Sequence, residues 1–315
     1  MIFFIEKMCA RDMNVFITGG LGFVGRALAK ALRDNGHGIT IVERNPDTKP
    51  PAPGGIHVIR ADASKPGPWQ KEMITHDAVV NLAVVSIFTR WTAAKKEEII
   101  NSRVLITRCV ADALKRNDRR ASILISASAV GYYGFHGNEE LTESDPPGDD
   151  FLARVCRAWE KEAMAAANYG VRVIPTRFGV VLGRQGGALD ILRRLHRWRL
   201  GARIGSGEQW FSWIHLDDLA AAIIFLLEKK GVSGPVNCTS PHPVTNRDLT
   251  RALNRAMKTF PLVPPVPGFA LRILLGEFGT FLLTGQRVVP RRLLDEGFSF
   301  RFSNIQAALK DCVGR

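Results

Sequence analysis

Two rhythms of apolar and polar positions run through residues 14–183. Short stretches such as "NVFITGG", "GITIVERN", "HVIRAD", "DAVVNLAV" and "ASILISAS" are largely apolar, the first closed by glycines, as strands buried on both faces are. Between them, "FVGRALAKALRDNG" places apolar residues at helical spacing, with Gly36 as a C-terminal stop. Longer helical patterns run from about Ala93 to Lys115 and from about Phe151 to Asn168, and "VRVIPTRFGVVLG" reads as a sixth strand. Strands alternating with helices predict an α/β chain: a Rossmann-like, doubly wound parallel sheet with right-handed crossovers.

Past Gly183 the rhythm loosens. Helical patterns near 187–198, 216–230, 245–257, 268–275 and 304–311 are separated by Pro- and Gly-rich turns such as "PLVPPVPG". This predicts a dinucleotide-binding domain over 13–183 and a smaller, mostly helical lobe over 184–315. One strand near 235–240, "PVNCTS", returns to the main sheet. Met1–Asp12 reads as an extension ahead of the first strand rather than an export signal.

Composition narrows the class. Apolar residues make up 46% of 315, enough for a packed core, and no run reaches the roughly 18 apolar residues of a membrane span. The five cysteines (Cys9, Cys109, Cys156, Cys238, Cys312) are scattered without a C-x-x-C pair, which fits idle thiols in a reducing cytoplasm better than disulfides or zinc. A net charge of +13 favours an anionic partner, either a dinucleotide or a nucleic acid. The densest basic stretch, "LRRLHRWRLGAR", holds Arg193, Arg194, Arg197, Arg199 and Arg203. It reads as a solvated helix face with Trp198 packed inward; an anion groove and a membrane surface are the alternatives. No nucleic-acid module accompanies it, so nucleic acid is not the expected primary partner.

"TGGLGFVG" joins the first strand to the first helix. Gly19, Gly22 and Gly25 fit G-x-x-G-x-x-G, and Gly20, Gly22 and Gly25 fit G-x-G-x-x-G. Glycines here permit a tight turn, close approach of a pyrophosphate and close helix–strand packing, while the helix N-terminus offers free N–H groups. Leu21, Phe23 and Val24 complete the phosphate-facing turn. At the end of the second strand, Glu43 favours the ribose hydroxyls of NAD and Arg44 the 2′-phosphate of NADP. Asp62, after the third strand, touches the adenine or simply forms a turn.

With "DAVVNLA", "SASAVGYYG", "LTESDPP", "GSGEQWFSWIHLDDLA" and "GQRVVPRRLLDEGFSFRF" added, the chain resembles the extended, atypical short-chain dehydrogenase/reductases. Within them it is similar to epimerase-family proteins described as nucleoside-diphosphate-sugar epimerases with a C-terminal domain of unknown function. The resemblance implies an NAD(P)(H) cofactor, with NADP favoured and NAD kept open by Glu43. By position it implies contacts from the glycine loop, Arg44, Leu82, Ala83 and Val181, with Glu98 and Arg103 facing the same cleft. Three departures stand out: Glu43 where a small hydroxyl residue is usual, "NLAVV" where the family reads "NLAGE", and Phe211 where nucleotide-sugar epimerases carry a diphosphate-binding arginine.

The wider superfamily uses a Tyr–x–x–x–Lys pair on one helix face, in which the ammonium lowers the phenol's pKa. Here those places hold Phe151 and Val155. What is left for chemistry is Ser128, at the position of the superfamily serine that bonds the reacting oxygen, with Tyr132 or Tyr133 as substitute phenol. The tyrosines read equally as packing aromatics of a tight turn. Trp210, Phe211 and Trp213 suggest an apolar ligand wall or core packing. His215 and Asp217 read as helix caps rather than, with Asp218, metal ligands; no metal site is expected. Two functions stay in play: an NAD(P)-dependent oxidoreductase or epimerase for a small carbonyl or hydroxyl substrate, or a dinucleotide-binding regulatory or scaffold protein. A homodimer stays open.

Overall fold

A computed structural model describes residues 12–52, 54–116 and 118–314; the start of the extension, with Cys9, lies outside the described residues. Seven strands form one sheet: β1 (Asn14–Thr18), β2 (Gly38–Glu43), β3 (His57–Arg60), β4 (Ala78–Asn81), β5 (Ile123–Ala129), β6 (Arg172–Phe178) and β7 (Val236–Cys238). Their spatial order is 7-6-5-4-1-2-3 and every neighbouring pair is parallel. The chain reverses direction across the sheet between β1 and β4, which opens a crevice at their carboxyl ends.

The strands bury both faces, so alternate residues serve different cores. From β1, Val15 and Ile17 join Leu28 and Leu32 of α1 (Phe23–Asp34), while Phe16 joins Trp69, Met73 and Leu114 on the other side. Four further helices position the site: α2 (Ala93–Leu114), α3 (Phe151–Met164), α4 (Gly187–Arg197) and α5 (Leu216–Glu228). Although it comes late in the chain, α5 packs beside α1 on the main sheet, through Leu219, Ile223 and Leu226.

Residues 180–182 pair in parallel with 213–215, and 140–141 with 287–288, so short two-stranded pieces stitch later segments to the sheet's carboxyl edge. A separate apolar cluster joins Leu189 of α4 to Trp213, Leu253 and Leu309. Among the described residues no helix is long and apolar enough to cross a membrane. Cys109, Cys156, Cys238 and Cys312 are free and buried.

Candidate functional site

The turn after β1 is built by glycines with different jobs. Gly19 takes φ +69°, and a Cβ there would lie 2.7 Å from the Ala83 Cα. A Cβ on Gly20 would strike the Ile41 side chain at 2.6 Å, and one on Gly25 the Gly19 oxygen at 2.4 Å. These three let α1 seat closely on β1, β2 and the end of β4. Gly22 differs: its Cβ would meet only the Gly19 oxygen, at 3.1 Å, a milder contact than at the other three.

Gly22 is also the N-cap of α1, with no side-chain cap and no acidic residue in the first turn. By contrast Thr92 caps α2 and Asp150 caps α3 through their side chains. The α1 N-terminus therefore keeps its uncompensated positive end for an anion. The turn and the dipole fit a pyrophosphate.

At the tip of β2, Glu43 accepts from Lys49 Nζ at 3.0 Å and from the Arg44 backbone N–H at 3.1 Å. Its charge is thus balanced inside the protein, while Arg44 is exposed beside it. Asp62 Oδ1 accepts from the Ser64 hydroxyl at 2.6 Å and from its N–H at 3.0 Å, which gives it the turn-forming part. The Ser64 bond holds its carboxyl below the ordinary range, against the opposing effect of burial.

The Leu82 N–H donates to Thr18 O, so Leu82 and Ala83 border the glycine turn. Val181 sits in the short strand beside Ile214, and Phe23 of the glycine turn packs against the segment that follows it, at Gly183, Gly186 and Gly187. On α2, Arg103 turns inward and Glu98 outward. The buried Arg103 donates to Ile99 O and to Val85 O at 3.1 Å and lies over the Trp159 ring; burial pulls its pKa down to about 10. It therefore fixes the backbone of the "NLAVV" loop. Glu98 is exposed and pairs with Lys95.

Ser128, Tyr132 and Tyr133 belong to one buried knot. Ser128 Oγ donates to Glu160 Oε1 at 2.6 Å, and Arg177 grips the same carboxylate with two bonds of 2.8 and 2.9 Å. Arg177 Nη1 donates to the Tyr133 hydroxyl, which in turn donates to Asn237 Oδ1 at 2.7 Å. The Asn237 N–H donates to the buried Glu143 of "LTESDPP".

Tyr133 is fully buried, its hydroxyl is held between Arg177 and Asn237, and burial pushes its phenol up. Ser128 is 2% exposed with its proton committed to Glu160. Tyr132 is half-buried, its ring 3.4 Å from the Arg177 guanidinium, and its hydroxyl has no protein partner among the described residues. Phe151 and Val155 lie with Ile99 and Leu152 in an apolar cluster. Sequence reasoning missed Glu143, Arg177 and Asn237. An arginine inside the apolar run "VRVIPTRFGVV" was the available signal, since such a charge enters a core only when paired.

The carboxyl edge opens into a cavity of about 430 Å³. Val130 after β5, Val180 after β6 and Phe88 after β4 reach it from the sheet, and Trp210, Phe211 and Phe281 from the later segments. Trp213 does not belong to this wall; it is fully buried, with its indole N–H donating to His242 O. Trp198, expected to pack inward, is 76% exposed, because α4 ends at Arg197 and Arg199 turns the chain with φ +58°.

His215 caps α5, its Nδ1 accepting from the Asp217 N–H at 3.1 Å, and Asp218 accepts from the Arg301 and Phe302 N–H groups. His215, Asp311 and Cys312 bring ligand-type atoms within 4.8 Å of one another, but Asp311 is held by Arg184.

Comparison with known proteins places this architecture. Residues 15–238 match the model of the NAD dependent epimerase/dehydratase family, and residues 266–312 a domain of unknown function, DUF1731. The chain is 40% identical over 304 residues to the chloroplastic SDR39U1 homolog of Arabidopsis thaliana, covering 95% of this chain and 86% of the relative. It is 36% identical to the epimerase family protein YfhF of Bacillus subtilis, over 96% of this chain and 98% of that one. The crystal structure of human epimerase family protein SDR39U1 (isoform 2) with NADPH superposes with a TM-score of 0.82 at 32% identity, covering 96% of this chain and 99% of that one.

Proposed function

The chain belongs to the NAD dependent epimerase/dehydratase family, and from that membership and the geometry above we propose that it is an NADP(H)-using oxidoreductase or epimerase for a small carbonyl or hydroxyl compound. The observation that carries the proposal is the glycine-built, uncapped N-terminus of α1 at the sheet's carboxyl edge. NADPH in the human relative's crystal structure supports it. Gly22 and the first N–H groups of α1 receive the pyrophosphate. Arg44, with Lys49 already balancing Glu43, faces the 2′-phosphate. Leu82, Ala83 and Val181 flank the middle of the cofactor. When bound, the nicotinamide supplies hydride chemistry at its C4.

The phenol–ammonium pair has no counterpart here, and Tyr133 is locked in the knot. Of the motif's phenols, Tyr132 alone is left to exchange a proton. A second reading, a dinucleotide-binding regulatory protein without turnover, is favoured by the apolar packing of Phe151 and Val155.

One experiment separates the two. The purified protein is titrated with NADPH and NADH by nucleotide fluorescence, and the NADPH complex is then screened against neutral and phosphorylated carbonyl compounds. Binding with turnover supports the enzyme. Binding without turnover across the panel supports the regulator, and no binding of either nucleotide overturns both.

A further inference from the structure

We infer that the cavity takes a neutral, apolar carbonyl compound or its alcohol, not a nucleoside-diphosphate sugar; this rests on the cofactor reading above and on the cavity opening at the same carboxyl edge of the sheet, where Val130 and Val180, the neighbour of Val181, line it. The wall carries no Asp, Glu, Lys or Arg among the described residues. A diphosphate entering such a wall would lose its hydration with no cation to replace it, a cost that grows steeply in a low-dielectric site. Where a diphosphate-binding arginine would lie, Phe211 borders the cavity instead.

The polar groups on the wall are largely used by the protein itself. Ser212 Oγ donates to Gln286 O at 2.8 Å, and Gln286 Nε2 to Val130 O at 2.9 Å. Gln209 Nε2 donates to the Ile204 and Leu282 carbonyls. Among the described residues, His196 is the one histidine on the wall. Its Nδ1 bonds to Leu192 O at 2.8 Å, and since a carbonyl only accepts, Nδ1 carries the proton. Burial lowers the His196 pKa, so the ring brings no charge at neutral pH.

Helix α4 separates two environments. Ile191, Leu192 and Leu195 face the cavity, while Arg193, Arg194 and Arg197 line a different, outer pocket with Arg184. The basic charge of this stretch is thus kept off the substrate wall. The helix Gly268–Leu275 gives Leu271 and Leu275 to the wall and leaves Phe269, Ile273 and Leu274 exposed, so the approach is apolar as well. Volume and lining match a compact drug-sized apolar ligand.

The test uses 2-acetonaphthone, a neutral aromatic ketone, and UDP-glucose as competing probes, read by calorimetry with and without NADPH. The expected result is ketone binding that is insensitive to salt and not displaced by UDP-glucose. Leu195→Arg, at a 40% exposed wall position that tolerates a polar side chain, should weaken ketone binding about tenfold or more, with NADPH affinity and melting temperature unchanged. UDP-glucose binding that excludes the ketone overturns the inference. So does an absence of ketone binding, or ketone affinity equal in the parent and Leu195→Arg. If NADPH itself fails to bind, the cofactor reading falls separately, and the ketone arm without nucleotide still decides the nature of the cavity.

Discussion

Replacing Glu160 by Gln keeps the side-chain shape and removes its charge. In the parent, the Arg177 side chain is 2% exposed and Glu160 11%, with two bonds between them. Burial alone would disfavour the Arg177 charge; the Glu160 bonds and the Tyr133 oxygen outweigh it and raise its pKa. Removing one partner of a buried ion pair costs about 3–5 kcal/mol, because the surviving charge stays desolvated. The Gln oxygen still accepts one Arg177 bond and Tyr133 another, so the lower end applies.

About 3 kcal/mol corresponds to a fall in Tm of roughly 4–5 °C for a chain of 315 residues. Ser128→Ala removes only one of the donors to Glu160 and should cost about 1 kcal/mol. Thermal melts and urea titrations followed by circular dichroism measure both. Glu160→Gln melting with the parent, or Ser128→Ala costing more than Glu160→Gln, would refute the assignment of this knot as a structural clamp.

Other perturbations give further expectations. Tyr133→Phe leaves Asn237 Oδ1 and Arg177 Nη1 short of a partner and should cost about 1–3 kcal/mol in urea, whereas Tyr132→Phe should leave stability unchanged and slow any turnover found. Gly25→Ala drives a methyl into the Gly19 and Gly20 backbone and should destabilise by about 1–3 kcal/mol, while weakening NADPH binding through the displaced turn. Arg44→Ala should lose about tenfold in NADPH affinity and nothing for NADH, measured by fluorescence titration. Burial holds the His196 and His215 pKa values below their ordinary 6.5. The unfolded chain therefore binds protons first as pH falls, so this contribution is whole above 6.5 and is lost as pH drops towards the folded values. Urea unfolding at about pH 7.5 and about pH 5.5 should show the loss, and His196→Asn should reduce it.

The sheet was readable because its strands are short and largely apolar, and the helices because α1 and α3 keep an apolar stripe. The glycine turn was readable for a mechanical reason: Gly19, Gly20 and Gly25 each sit where a methyl collides with backbone or a core side chain. The knot was not readable, since Ser128, Glu160, Arg177 and Asn237 come from four elements and meet only through sheet order. Trp198 was misread because helical spacing was carried one residue past the end of α4 at Arg197, just before the turn at Arg199. The packing of α5 beside α1 likewise joins segments far apart in the chain, which local patterning does not encode.

The phosphate-binding role of the α1 N-terminus is tested most directly by calorimetric titration of the parent and Gly22→Asp with NADPH. Gly22 has φ −77°, which any residue adopts, and aspartate is a favoured N-cap that offsets the 3.1 Å approach of its Cβ to the Gly19 oxygen, so the variant should fold with a stability close to the parent's. Its carboxylate would occupy the N–H groups and repel the pyrophosphate, and NADPH affinity should fall by at least about tenfold. Equal affinity in both proteins, or no binding by the parent, would contradict the account.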